Sequence, residues 1–323
     1  MNKDNLLLSI YLITYNRSKN LDLTLSQWVN SPFSKFSLTI LDNNSSDQTY
    51  DVYLKYNTQI NDLKYVKNKV NIGLGANILR AVEYSNSEYT WVICDDDIYD
   101  FRDSNDVIET IEKKEVDILI LGYSEKFEWS LGELITTPEF LIKNNYPLFI
   151  LSSFLPAIIF KTKDYQNYLS LCYDNVNNVL PQMIYFFHKY ESNNCQIYIS
   201  KNKIVYHANL GDETFNIDRL LIWWINTCRF LKNKTYREVA LLSFFQNQSK
   251  IRSILFMSFY LTAKRSTLNT IFNVIYCTKF FYRILFITLI PLAAVFQYTP
   301  MIKYDKTRKK IFFQTVRTFL INK

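Results

Sequence analysis

Glycine and proline are scarce, with 5 and 7 residues in a chain of 323. That scarcity argues against collagen-like or flexible-linker segments, and neither an internal repeat nor a long low-complexity tract occurs. The five cysteines, Cys94, Cys172, Cys195, Cys228 and Cys277, lie far apart, show no CxxC spacing and leave one over. A disulfide framework and a zinc knuckle are disfavoured, and a reducing compartment fits. The first apolar run has Asp4 in its charged lead-in and no small-residue cleavage site before Asn16 and Arg17. A buried strand over Leu6 to Thr14 is expected there, not a cleaved leader. Acidic residues are nearly missing from the last third. Residues 220–323 carry 17 Lys and Arg against 2 Asp and Glu, net +15, whereas residues 1–219 carry 20 against 28, net −8.

What is present is ample core material, 48% hydrophobic residues and 16% aromatic. The charge division predicts two bodies: an acidic, catalytic-looking part over 1–217 and a basic, aromatic-rich part over 218–323. In the acidic part, short runs rich in Ile, Leu, Val and Tyr alternate with helical patterns. Strands are expected at 6–14, 36–42, 63–68, 89–94 and 116–122, and helices near 19–30, 46–57, 76–86 and 104–115. Such alternation indicates βαβ units and an α/β fold with a mostly parallel sheet flanked by helices.

Ligands of such sheets gather at the carboxyl ends of the strands. Four polar segments are expected there: Thr14-Tyr15-Asn16-Arg17, then Asp42 to Asp47, then Asn71 to Asn77, then Asp95-Asp96-Asp97. Each alone has a plain structural explanation. Ser45, Ser46 or Asp47 would cap a helix, the glycines of NIGLGAN would serve a tight turn, and Asn16-Arg17 would be ordinary surface. Together, at four successive strand ends, they describe one crevice. Three adjacent carboxylates repel one another and lose hydration when covered, so a positive partner is expected beside them.

The ordered set TYNR, LDNNSSDQT, NIGLGANILRAVEYS and YTWVICDDDIYD resembles the nucleotide-sugar half of family 2 glycosyltransferases with the GT-A fold, over about residues 5–125. The resemblance implies a Rossmann-like fold and transfer of a sugar from a nucleoside-diphosphate donor, foremost a UDP-sugar, with inversion and with Mn²⁺ or Mg²⁺. It implies that Thr14 and Asn16 lie along the nucleotide and that Asp42 meets the base or ribose. Asn71 and Gly73 would close the donor side, with Arg80 approaching the diphosphate. Asp95 and Asp97 would bracket the ribose and the metal. The register CDDD leaves Asp96 as the alternative metal ligand.

Independently of the family, a departing diphosphate builds negative charge that a hard divalent cation on carboxylate oxygens neutralises. Inversion also needs a base at the acceptor hydroxyl. The family's Glu-Asp pair has no match in residues 173–191, where Pro181-Gln182 occupies the corresponding place, so Asp174 and then Glu191 are the candidates. His188 reads as a helix residue. His207, after the strand KIVYH, resembles a late histidine that many GT-A enzymes supply to the metal or diphosphate, and a structural role remains its alternative. Residues 126–217 would form the acceptor part, where Trp129 either stacks on a sugar or packs in the core.

The basic remainder, 218–323, reads as successive helices with large apolar residues and cations of one sign. An anionic membrane surface would relieve their repulsion, so peripheral membrane attachment is expected, with a soluble bundle and a spanning or re-entrant segment as the alternatives; the resemblance implies the cytoplasmic face of the plasma membrane. Nucleic acid is not expected, for want of a recognisable motif. The uncharged run 284–302 is broken by Pro291, Gln297 and Pro300 and is expected to be buried or half-inserted. The acceptor implied by the resemblance is a lipid-linked glycan of a bacterial surface polysaccharide. Two alternatives stay open: a membrane-docking protein that keeps only the donor fold, and a sugar nucleotidyltransferase, although TYNRSKN lacks that class's glycine-rich loop.

Overall fold

The computed structural model describes residues 7–121, 134–177, 179–200, 203–207, 217–245, 253–254, 257, 268–278 and 282–288. The chain divides into two compact units, Met1–Phe215 and Asn216–Lys323. In the first, elements follow in the order β1 (Leu8–Thr14), α1 (Ser18–Trp28), β2 (Ser37–Asp42), α2 (Thr49–Tyr56), β3 (Leu63–Lys67), α3 (Leu74–Tyr84), β4 (Tyr89–Cys94), β5 (Asp97–Tyr99), α4 (Asn105–Lys113), β6 (Ile118–Ile120) and β7 (Leu134–Thr136). They continue with α5 (Pro138–Lys143), α6 (Leu148–Ser152), β8 (Ile158–Lys161), α7 (Thr162–Gln166), α8 (Leu169–Asp174), α9 (Pro181–Tyr190), β9 (Ile197–Ile199) and β10 (Val205–His207).

Eight strands form one sheet in the order β3-β2-β1-β4-β8-β6-β9-β7, and β5 pairs separately with β10. The run β3-β2-β1-β4 is parallel throughout. All six residues of β2 and six of seven in β1 are buried, as expected for strands covered on both faces. β8 enters antiparallel between β4 and β6. A strand from the expected acceptor part thus lies in the middle of the sheet. The sequence concealed this because LPAIIF reads equally as a buried helix segment.

Helix α1 buries Leu21, Thr24, Leu25 and Trp28, the spacing of one helical face. Trp28 closes that face, its ring 5.5 Å from Trp91 and 4.8 Å from Phe101. Truncating so large a buried side chain to Ala costs about 3–5 kcal/mol in other cores. Helix α3 buries Asn77, Ile78, Leu79, Ala81 and Val82 against the same sheet.

The second unit contains α10 (Ile217–Cys228), α11 (Lys234–Ser243) and α12 (Leu268–Cys277), with further helical residues at 282–288. Its helices are tied by buried polar contacts. Trp224 Nε1 donates to Ala240 O at 2.8 Å, Asn273 Nδ2 to Asn226 Oδ1 at 3.0 Å, and the buried Arg237 to Tyr276 Oη at 2.7 Å. Asn233 caps α11 through the amides of Thr235 and Tyr236. Among the described residues, no helix is long and apolar enough to cross a membrane. Most of the run 284–302, and all of 303–323, lie outside the described residues.

Candidate functional site

Strand order builds the site before any side chain is considered. The chain passes from β1 outward through β2 to β3, then returns to β4 on the other flank of β1. The carboxyl ends of β1 and β4 therefore mark the point where the winding reverses, the usual place for a ligand crevice. The register Ile13↔Cys94 sets Thr14 beside Asp95, and Thr14↔Asp42 sets the same residue beside the end of β2. Thr14 Oγ1 donates to Asp95 Oδ2 at 2.6 Å.

Asp95 is 3% exposed, and Asp95 and Asp96 form the turn between β4 and β5. Burial lifts the Asp95 carboxyl to about 6, a rise that Asp96 reinforces and that Thr14 and Arg17 oppose. The positive partner that the triplet requires is Arg17, from the loop after β1. Its Nη1 lies 2.7 Å from Asp96 Oδ2 and 3.3 Å from Asp95 Oδ1. Sequence reasoning placed Arg17 in one of the four crevice segments, with ordinary surface as the alternative, and gave its side chain no role of its own. The signal that could have found it is the switch-point topology itself, which brings the loops after β1 and β4 side by side.

Asp97 opens β5, is buried, and pairs in register with His207 of β10. The backbone thus brings His207 to the triplet, while its side chain lies outside the description. The Cys94 thiol and the Asp96 and Asp97 carboxylates offer ligand atoms within 4.8 Å of one another. Burial pushes the Cys94 thiol well up, so it is a neutral neighbour, and the carboxylates are the donors that suit a hard divalent cation. The donor set fits Mn²⁺ or Mg²⁺. Asp95 stands outside this group, its two oxygens turned to Thr14 and Arg17.

The second and third loops are locked to the first. Asn16, at φ +51°, accepts the Ser46 amide on its side-chain oxygen at 2.8 Å, and its own amide donates to Ser45 Oγ at 2.8 Å. Asp42 is fully buried; Oδ1 accepts from the amide and hydroxyl of Ser45, and Oδ2 from Tyr65 Oη at 2.5 Å. Asp42 therefore holds the loop after β2 in place through Ser45 and Tyr65. Asn43 donates to Asn71 Oδ1 at 2.9 Å and accepts the Ile72 amide at 3.0 Å. Gly73 has φ +83° and ψ 159°, a conformation nearly restricted to glycine. Arg80 donates to Asn68 Oδ1 at 2.8 Å, so it braces the third loop in this structure.

The two base candidates differ in placement. A Cβ on Gly75 would lie 3.1 Å from Pro181 Cγ and 3.2 Å from Val176 Cγ2, so the chain entering α9 packs on the first turn of α3, just after the third loop. Asp174 is exposed and ends α8, two residues before Val176. Glu191 follows the far end of α9, about 15 Å along the helix axis from Pro181 at 1.5 Å per residue. His188 stacks on Tyr168, ring centroids 5.0 Å apart. Trp129 lies outside the described residues.

Residues 9–148 match the model of glycosyl transferase family 2. The chain is 30% identical over 125 residues to the abequosyltransferase RfbV of Salmonella typhimurium, a match covering 37% of each chain. It thus spans little more than a third of that relative's length. Solved structures resemble the fold over nearly the whole chain. TarS 1–349 of S. aureus in complex with UDP-GlcNAc has a TM-score of 0.58 at 15% identity, covering 90% of this chain and 91% of that one. The mannosyltransferase PcManGT of Pyrobaculum calidifontis, with GDP-Man and Mn²⁺, has a TM-score of 0.53 at 13% identity, covering 93% and 87%. The architecture is GT-A-like, a mostly parallel sheet with flanking helices.

Proposed function

We propose, on the premise that residues 9–148 belong to glycosyl transferase family 2, that this chain transfers a sugar from a nucleoside-diphosphate donor to an acceptor hydroxyl. The observation that carries the reading is the meeting of the loops after β1 and β4, where Thr14 and Arg17 hold Asp95 and Asp96 beside the Cys94, Asp96 and Asp97 group. Asp96 and Asp97 would hold Mn²⁺ or Mg²⁺, and such a cation, when bound, neutralises charge on the departing diphosphate. Asp95, buried with its oxygens on Thr14 and Arg17, would meet the ribose only where the donor takes the place of one of these partners. Asn43 and Asn71 fix the third loop as the donor-side wall.

Inversion requires a base on the acceptor side, and Asp174 is the preferred residue because the residues after it, Val176 and Pro181, pack on the first turn of α3 beside the third loop. Glu191, a helix length away, is the second choice. The structural neighbours support the donor class: TarS is solved in complex with UDP-GlcNAc and PcManGT with GDP-Man and Mn²⁺. The abequosyltransferase supports transfer of a sugar, and the excess cations of the second unit support an anionic membrane surface; the acceptor of this proposal is a lipid-linked glycan at the cytoplasmic face.

A thermal-shift screen of UDP-, GDP- and dTDP-sugars with and without Mn²⁺ tests the proposal. One donor class should raise Tm, and Mn²⁺ should enlarge the rise. No shift with any donor in either condition would remove the donor site from this chain.

A further inference from the structure

We propose that Arg17 is the resident counter-cation of the acidic triplet and that it opposes the divalent ion at the same carboxylates; this rests on reading Asp96 and Asp97 as the ion's ligands. Three carboxyl groups in succession, with Asp95 and Asp97 buried, cannot keep their charge without a cation nearby. Arg17 supplies one from within the chain. Its guanidinium reaches both Asp95 and Asp96, and it keeps its charge at every physiological pH.

Its backbone is fixed where the side chain must start. Arg17 O accepts the Leu21 amide at 2.9 Å at the entry to α1, and the next amide, Ser18 N, donates to Asp47 Oδ2 at 2.8 Å. The rim therefore presents a tethered cation to a carboxylate that belongs to the metal group. An ion on Asp96 must share that carboxylate with the guanidinium or displace it, and in either case like charges oppose each other in a partly buried place. The same contact explains how the triplet stays folded without metal: the arginine offsets the repulsion until the ion takes over.

The expected signature is a trade between stability without metal and affinity for it. Arg17→Met should bind Mn²⁺ about tenfold more tightly than the wild type, read as free Mn²⁺ by electron paramagnetic resonance or by calorimetry without any donor. In EDTA the same variant should melt below the wild type, and saturating Mn²⁺ should raise its Tm by more degrees. Arg17→Gln keeps a donor for Asp96 and removes only the charge, so it should tighten binding similarly and serves if the Met variant folds poorly. Arg17→Lys keeps the charge and should restore affinity close to the wild-type value. Equal or weaker Mn²⁺ binding by Arg17→Met or Arg17→Gln, with the wild type binding, overturns the proposal and leaves the metal site standing. Absence of Mn²⁺ binding in the wild type removes the metal reading, and this inference with it.

Discussion

Asp95 is a carboxyl whose environment works against its charge, and this has a pH signature. Its folded-state value of about 6 stands above the ordinary 3.8, because burial outweighs the help of Thr14 and Arg17. A raised carboxyl favours the folded state when protonated. The contribution is fully present below about 4 and is lost as pH rises through about 6, and two units correspond to ~3 kcal/mol. In EDTA, the wild type should therefore lose stability relative to Asp95→Asn between pH 4 and 6.5, measured by urea unfolding at each pH. Parallel stability curves for the two proteins would refute the assignment. The residues around it were unequally legible. Thr14 and the triplet stood out because their spacing follows apolar runs, whereas Arg17 follows an asparagine in a polar stretch, and only its distance to Asp96 singles it out.

At the scale of elements, the segment from Asn71 to Asn77, a loop running into the first turn of α3, depends on two glycines for different reasons. Gly73 is needed for its backbone angles and has open space where a Cβ would stand, whereas Gly75 is needed for the close approach of Val176 and Pro181. Gly73→Ala should cost about 1–3 kcal/mol in urea unfolding through strain alone. It should also weaken binding of whichever nucleotide sugar the thermal-shift screen identifies. Unchanged stability would mean that the loop adopts another path without penalty. The parallel strands and helices α1 to α4 were readable from period and length, to within a few residues at their ends. The antiparallel β8 was not, since sheet neighbours are chosen by tertiary contact and three apolar residues followed by a lysine carry no direction.

For the whole molecule, charge is the leading observation. The second unit concentrates cations, and Phe272 and Tyr276 on α12 are exposed one turn apart, as are Ile284 and Ile287 on the following helical segment. Aromatic and aliphatic side chains among excess cations suit an anionic headgroup region, each nearby Lys or Arg contributing about 1 kcal/mol. The full chain should co-sediment with phosphatidylglycerol vesicles and not with phosphatidylcholine vesicles, and rising salt should release it. Phe272→Glu with Ile284→Glu should weaken the association. Equal binding to both vesicle types would show that charge is not what draws the protein to a surface.

The sequence by itself determined the alternation of buried strands and helices, the four polar strand ends and the division of charge. All of these are local in the chain, written in the period and sign of neighbouring residues. Only the tertiary structure decided which cation faces the triplet, that Asp42 accepts from Ser45 and Tyr65, and that Val176 and Pro181, just after Asp174, pack against Gly75. Each of those facts depends on the order in which strands lie side by side, and that order is set by burial of the whole core, which no short stretch of sequence contains.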